Sequence, residues 1–244
     1  MRNIQIILGY DGSRYHGWQR QKNLITVQEE VEKAIIKLTK ENNKVNGCSR
    51  TDSGVHAKGQ SANFFTEKLI PIEKIPLALN TYLPKDIRVY KAVERPIEFH
   101  SRYHAKGKRY TYQILNNPYG CALEYKRAWH IPQRLNVEEM VKANEYIIGT
   151  HDFSAFRVTG SGVKSSIRTI YKSKLIKDGD KIILDIEGNG FLYKMVRSII
   201  GTLVEVGKGR FNPEDIPKIM ESRNRKNGGK TAPPEGLYLE EIYY

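Results

Sequence analysis

The chain has 244 residues, 39% of them hydrophobic, which is enough for one large domain or two small ones with real cores. The 40 Lys and Arg residues against 27 Asp and Glu give a net charge of +13, which suits a polyanionic partner such as nucleic acid, although simple solubility would also explain it. Two distant cysteines and six scattered histidines indicate neither a disulfide framework nor a zinc site, and no apolar run resembles a signal peptide or membrane span. We therefore expect a cytoplasmic protein.

Hydrophobic periodicity predicts alternating strands and helices in the first half of the chain. Thr26-Val27-Gln28-Glu29 has the pattern of a capping box, which marks the start of a helix. The apolar residues at helical spacing predict one buried stripe: Val27, Val31, Ile35 and Leu38. The other predicted elements are strands at 4–10, 60–66 and 87–93 and a short helix around Ala78 and Leu79.

The second half carries similar signals, and Asp178-Gly179 is its strongest hairpin turn. A long helix is predicted over residues 191–206, with Phe191, Met195, Ile199 and Leu203 on its apolar face. A further helix is predicted to begin at Asn136. The residues expected to share one of its faces are Val137, Met140, Val141, Asn144 and Ile148. The other predicted elements are strands at 109–115, 168–176, 181–187 and 237–243 and a short last helix that starts at residues 212–214.

Together these signals predict an α+β fold with a mainly antiparallel sheet flanked by helices, because hairpins occur without a uniform βαβ repeat. We expect two α+β subdomains that share the sheet. The first comprises residues 1–105 and the second residues 106–244.

The glycine-bounded loop at residues 47–60 is the strongest candidate for chemistry. Its glycines allow sharp turns and the close approach of a ligand. Asp52 is the only residue in this loop that could act as an anionic nucleophile or base, and Arg50 precedes it by two positions. The alternative interpretation is that Asp52 caps a turn and pairs with Arg50.

Three other features could bind RNA or support the site. Residues 102–112 interleave cations with aromatic rings, as in surfaces that hold phosphates and stack on bases, although a solvated basic strand would look similar. Residues 10–21 form a polar loop rich in rings, which could bind RNA or pack as a surface loop. Arg197 lies off the apolar stripe of the long helix, where it could reach a site carboxylate or stay solvated.

Residues 50–57, Arg-Thr-Asp-Ser-Gly-Val-His-Ala, resemble the signature loop of the TruA family of tRNA pseudouridine synthases. Cys48, Ser49 and Ser53 stand where the family pattern has alanine or glycine, small-for-small changes that leave Arg-Thr-Asp intact. Blocks that also resemble the family occur in the same order at 10–12, 17–21, 108–112, 151–156, 190–197 and 232–237.

The resemblance implies a pseudouridine synthase fold and an isomerase that converts uridine to pseudouridine in the tRNA anticodon stem-loop, at tRNA positions 38, 39 and 40. It also implies a homodimer, no membrane, no cofactor and no metal, with the active site and RNA cleft between the two subdomains. A glycosidase needs a second carboxylate to activate water, but here the detached base itself returns, so one aspartate can suffice.

The same resemblance implies roles for individual residues. Asp52 would be the catalytic carboxylate, either adding to ribose C1′ or removing a proton from C2′. Arg197 would pair with Asp52 and keep it ionised, and Tyr110 would stack on the flipped base. The residues expected to bind the RNA substrate besides Tyr110 are Arg50, Arg20, Gln21 and Arg109.

Two other functions remain open from the residues alone. A noncatalytic RNA-binding module would use the same basic and aromatic residues only to hold structured RNA. A metal-dependent nuclease would need a cluster of carboxylates, and Asp52 is the only one in the candidate loop.

Overall fold

The predicted strands and helices form two units in the computed structural model, which describes residues 1–158 and 165–244. Unit 1 comprises residues 1–106 and 238–244, and unit 2 comprises residues 107–237. The α+β prediction is confirmed. The predicted division near residue 105 assigned residues 238–244 to the second subdomain, whereas they fold with unit 1 because Tyr238 and Leu239 pair with a strand of its sheet.

Unit 1 is a mainly antiparallel sheet with two helices. Its strands lie in the order β4-β1-β3-β10, with β2 alongside β3, and only β10 runs parallel to its partner β3. The elements are β1 (Arg2–Tyr10), α1 (Val27–Thr39), β2 (Asn46–Gly47), β3 (His56–Thr66), α2 (Ile75–Tyr82), β4 (Ile87–Arg95) and β10 (Leu237–Tyr243).

Helix α1 begins where the sequence predicts, but the prediction of a capping box is wrong. Thr26 makes no capping hydrogen bond, and its buried Oγ1 has no hydrogen-bond partner among the described residues. The amides of Val27 and Gln28 donate instead to the carbonyl oxygens of Gly17 and Trp18, at 3.2 and 3.0 Å. The loop that precedes the helix in the chain therefore caps it.

Unit 2 has strand order β5-β9-β8-β7, with β6 parallel to β5 and the other pairs antiparallel. Its elements are β5 (Gly107–Leu115), β6 (Trp129–His130), α3 (Val137–Glu145), β7 (Gly149–Asp152), β8 (Ile167–Asp178), β9 (Lys181–Gly188), α4 (Met195–Gly207) and α5 (Asp215–Glu221). The hairpin predicted at Asp178-Gly179 is confirmed, since β8 and β9 pair on either side of it.

Two helix predictions in unit 2 need correction. Helix α4 begins at Met195 and not at residue 191, because Lys194 adopts a left-handed conformation with φ of 58° and interrupts the helical backbone. Helix α3 ends at Glu145, so Ile148 is exposed and Ile147 is buried in its place. No helix among the described residues is long and apolar enough to cross a membrane.

Candidate active site

Strand β3 holds the beginning of the Asp52 loop. The Cys48 amide donates to the Ser61 carbonyl at 2.8 Å, which extends the pairing of β2 with β3. The buried Gln60 side chain accepts from the Ser49 amide at 3.2 Å and donates to the Ser49 carbonyl at 2.7 Å. Both bonds are buried and therefore costly to break, so they fix the direction in which the chain leaves the sheet toward Asp52.

The end of β1 and the segment that follows it hold the loop on its other side. Tyr10 and Thr51 share a hydrogen bond of 2.7 Å between their hydroxyl groups, and the Trp18 amide donates to the Thr51 carbonyl at 3.1 Å. The Gly54 amide donates to the Tyr15 carbonyl at 3.3 Å. The residues just before and just after Asp52 are therefore fixed by chain segments remote in sequence.

Close contact between the two loops requires glycine at two positions outside the Asp52 loop. Gly17 has φ of +86°, and a Cβ there would lie 2.5 Å from the Thr51 carbonyl oxygen. A Cβ on Gly12 would lie 2.0 Å from the Val55 carbonyl oxygen. Sequence reasoning missed this role, although both glycines lie in family-like blocks at 10–12 and 17–21.

Within the loop, Thr51 is buried, Asp52 is half-buried and Arg50 is exposed. The Asp52 carbonyl accepts from the Val55 amide at 3.2 Å, so Asp52 starts a turn. This geometry places a half-buried carboxylate on a backbone that is held from two sides. Such a group can act on a bound substrate with little rearrangement of its own chain.

His56, at the start of β3, contacts both β10 and the turn at Gly12. Its buried ring stacks on Tyr238 with centroids 4.7 Å apart, and its Nδ1 accepts from the Gly12 amide at 3.1 Å. The same Nδ1 lies 3.3 Å from Asp11 Oδ1. His56 therefore packs β10 and the Gly12 turn against β3.

Two of the predicted site residues lie in unit 2. They are Tyr110, predicted to stack on the flipped base, and Arg197, predicted to pair with Asp52. Tyr110 is buried on β5 and contacts Phe191 edge to face, with centroids 5.2 Å apart and planes at 83°. Arg197, on α4, donates through Nε to the Ala232 carbonyl at 2.8 Å, and the Ala232 amide donates back to the Arg197 carbonyl at 2.9 Å. Both side chains are thus oriented by their own unit.

Tyr112 lies on the same strand as Tyr110 and close to Arg197. Burial raises the pKa of the Tyr112 hydroxyl well above its usual value, Glu235 raises it further, and Arg197 opposes both. The hydroxyl donates to the Pro233 carbonyl at 2.7 Å. Tyr112 is therefore a neutral structural link between β5 and the segment that orients Arg197.

The other predicted RNA-binding residues make contacts inside their own units. Arg20 Nη1 lies 3.3 Å from Glu32 Oε2, and the Gln21 side chain donates to the His16 carbonyl at 2.8 Å. Arg109 forms two bonds of 2.8 Å with Asp185. Unit 1 thus brings Arg20 and Gln21 into the loop that packs on the Asp52 loop. In unit 2, Arg109 precedes Tyr110 on β5, and its side chain lies on the opposite face of the strand.

Comparisons with known proteins agree with the motif resemblance. A sequence model of the family described as tRNA pseudouridine synthase matches residues 6–104 and 143–244. The chain is 51% identical over 244 residues to tRNA pseudouridine synthase A of Acetivibrio thermocellus and 52% identical to that of Thermoanaerobacter sp. strain X514. It is 49% identical to that of Clostridium acetobutylicum, and each alignment covers 100% of both chains.

Proposed function

Because the chain belongs to the TruA family of tRNA pseudouridine synthases, a family of isomerases, we propose that it modifies uridines of the tRNA anticodon stem-loop with Asp52 as the catalytic residue. The observation that carries the proposal is the support of Asp52 from two sides, by Gln60 of β3 and by Tyr10 and Trp18 of the preceding segment. The family resemblance supports tRNA positions 38, 39 and 40 as the targets.

The proposed reaction is an isomerisation in which every atom of the base is kept. The bond from ribose C1′ to uracil N1 breaks, the uracil turns, and a bond forms between C1′ and C5. The C5 hydrogen leaves as a proton and N1 gains one, so no redox partner is required. Asp52 either adds to C1′ or takes a proton from C2′, and both routes need one carboxylate held at the ribose.

The target uridine must leave its stack before Asp52 can reach the ribose. Flipping costs a few kcal/mol, and stacking on a protein ring offsets part of this cost. We assign this stacking to Tyr110, because Phe191 fixes the orientation of its ring.

Two arginines are proposed to supply positive charge. Arg197 is proposed to support the Asp52 carboxylate, because the Nε bond to Ala232 orients its guanidinium and a guanidinium can donate two parallel N–H bonds to a carboxylate. Arg50, exposed in the loop, is proposed to bind the RNA backbone.

The remaining proposals follow from the resemblance and the charge. Arg20, Gln21 and Arg109 are proposed to contact the tRNA, with Glu32 and Asp185 orienting the two arginines in the free protein. The protein is proposed to act as a cytoplasmic homodimer. Sedimentation of the wild-type protein as a monomer at working concentration would contradict the dimer.

The decisive experiment measures tritium release from a tRNA transcript labelled at uridine C5. We expect the wild type to release tritium and Asp52→Asn to lose at least about 10³-fold in rate while tRNA binding stays within about threefold. Asp178→Asn makes the same chemical change in an exposed hairpin turn and should behave as wild type.

Other outcomes would assign a different function. If the wild type binds tRNA but releases no tritium from any tRNA, the chain is a noncatalytic RNA-binding module. If Asp52→Asn keeps the wild-type rate, Asp52 is not the catalytic residue. Strand scission that requires magnesium would indicate a nuclease instead.

A further inference from the structure

The register between β1 and β4 shifts at Tyr90. Ile7 pairs with Lys91 and Leu8 pairs with Val89, so Tyr90 is an extra residue with no partner in β1. Strand β4 is at the edge of the unit 1 sheet. A β-bulge at a sheet edge redirects a side chain, and bulges of this kind are common beside active sites.

Tyr90 and Lys91 lie at an exposed part of the sheet face opposite Ile6 and Leu8. Ile6 and Leu8 are fully buried on one face, and alternation places Ile7 on the other, together with its cross-strand partner Lys91. Tyr90 is 61% exposed, and Lys91 is also exposed. The bulge therefore adds an aromatic ring to a face that already carries a cation.

The ring of Tyr90 leans across β1 at Gly9. A Cβ on Gly9 would lie 2.3 Å from the Tyr90 hydroxyl oxygen and 2.9 Å from its Cε2, so the ring occupies the space that a side chain at this position would need. One part of the Tyr90 ring lies against β1, and the rest of the ring is exposed to solvent. Aromatic rings held on a sheet in this way stack on unpaired bases in RNA-binding proteins.

A second lysine lies at the same level of the sheet. The Ala57 carbonyl oxygen would be 3.0 Å from the same Cβ on Gly9, and Lys58 follows directly. Lys58 is paired with Glu240 at 2.9 Å, but its side chain is 58% exposed. Lys58 and Lys91 can therefore hold the phosphates of a strand whose base lies on Tyr90.

The surface formed by Tyr90, Lys91 and Lys58 is connected to the Asp52 loop. Gly9 is followed by Tyr10, whose hydroxyl binds Thr51, the residue before Asp52. We propose that Tyr90 stacks on an unpaired base of the tRNA bound at the Asp52 loop, with Lys91 and Lys58 on the adjoining phosphates. The inference rests on the proposed function, because it names a further contact for the same tRNA.

The test compares tRNA dissociation constants of four proteins. We expect Tyr90→Ala to weaken binding by about 5-fold to about 150-fold, and Tyr90→Phe to stay within about twofold of wild type, because stacking needs the ring and not the hydroxyl. The control is Tyr82→Ala, which removes a tyrosine that is 44% exposed at the end of α2 and should leave binding unchanged.

Salt dependence separates stacking from charge. Lys91→Ala should make the slope of log K against log salt less steep by about 1, whereas Tyr90→Ala should leave the slope unchanged. Photocrosslinking of 4-thiouridine tRNA to the wild-type protein provides a test that does not depend on the folding of a variant. We expect a crosslinked peptide that contains residues 88–91.

The proposal is overturned if Tyr90→Ala binds tRNA within about twofold of wild type, or if other peptides crosslink and residues 88–91 do not. It is also overturned if Tyr90→Ala changes the sedimentation of the protein and not its tRNA affinity, since the face would then contact a second copy of the chain. Failure of the proposed function is seen separately, as absent tritium release by the wild type.

Discussion

Tyr10, the last residue of β1, and Thr51, the residue before Asp52, share a buried hydrogen bond of 2.7 Å between their hydroxyl groups. Both side chains are nearly inaccessible, with exposed fractions of 5% and 8%. Because β1 lies between β4 and β3 in the unit 1 sheet, this bond connects the position of the Asp52 backbone to an interior strand.

Replacement of Tyr10 by phenylalanine tests this connection. Loss of the hydroxyl leaves the buried Thr51 hydroxyl without this partner, so the free energy of unfolding should fall by about 1–3 kcal/mol. We expect the rate of tritium release at saturating tRNA to fall about 10- to 100-fold, because small displacements of a reacting group are costly. Urea unfolding and single-turnover release measure the two effects.

The control for Tyr10→Phe is Tyr171→Phe, which removes a hydroxyl from a residue that is 54% exposed. It should change neither stability nor rate. A Tyr10→Phe protein with the wild-type rate would show that the hydrogen bond does not position Asp52.

Replacement of Gly17 by alanine should damage the protein more than the same change at another left-handed glycine. At Gly17 the backbone strain adds to a contact of 2.5 Å with the Thr51 carbonyl, and we expect a loss of about 2–5 kcal/mol in the free energy of unfolding. Gly179 has φ of +56° with nothing within 4 Å of an added Cβ, so alanine there should cost about 1–2 kcal/mol. Equal losses in urea unfolding would refute the steric argument.

Replacement of Arg197 by lysine tests its predicted role beside Asp52. Lysine keeps the charge but cannot reproduce the guanidinium bond to Ala232 together with a second, directed donor. We expect kcat to fall about 10-fold or more while tRNA affinity changes little. Arg134→Lys, at an exposed position of the same unit, is the control. Unchanged turnover in Arg197→Lys would remove the ion-pair role.

The pH dependence of stability is predicted at Glu205 on α4. Burial alone would raise the pKa of this carboxyl, but the hydrogen bond from Arg210 and the charge of Lys208 outweigh burial and hold the pKa below its usual value of 4.5. A carboxyl with a depressed folded-state pKa stabilises the fold above its unfolded-state pKa, and this contribution is lost as pH falls through the folded-state pKa.

Glu205→Gln should therefore be less stable than wild type at pH 7, by about 1 kcal/mol because Arg210 is exposed to solvent. The difference in the free energy of unfolding should shrink below about pH 4.5. Urea unfolding from pH 3 to pH 7 measures it, with Glu138→Gln on the exposed side of α3 as the control. A difference that is constant with pH would contradict the assignment.

Local patterns were enough to identify several features of this protein. Asp178-Gly179 predicts the β8–β9 hairpin because a two-residue turn and its flanking strands are contiguous in the chain. The Arg50-Thr51-Asp52 motif identifies the candidate loop for the same reason. The family, the α+β class and most element positions follow from patterns of this kind.

Hydrogen bonds between remote segments decided the remaining features. Thr26 has the sequence of a helix cap, yet the carbonyls of Gly17 and Trp18 cap α1, because the tertiary fold brings that loop to the helix end. Likewise, residues 238–244 join unit 1 because β3 offers them a free strand edge.

The sequence by itself determined which residues can do chemistry, since side-chain type and local spacing are properties of the chain. Only the tertiary structure decided that Gly12 and Gly17 must lack a Cβ, because the atoms they would meet belong to a loop about 40 residues away. The same holds for Tyr90 above Gly9: the bulge and the close contact exist only once β4 pairs with β1. Contacts of this kind depend on strand register, which the residues on either side do not reveal.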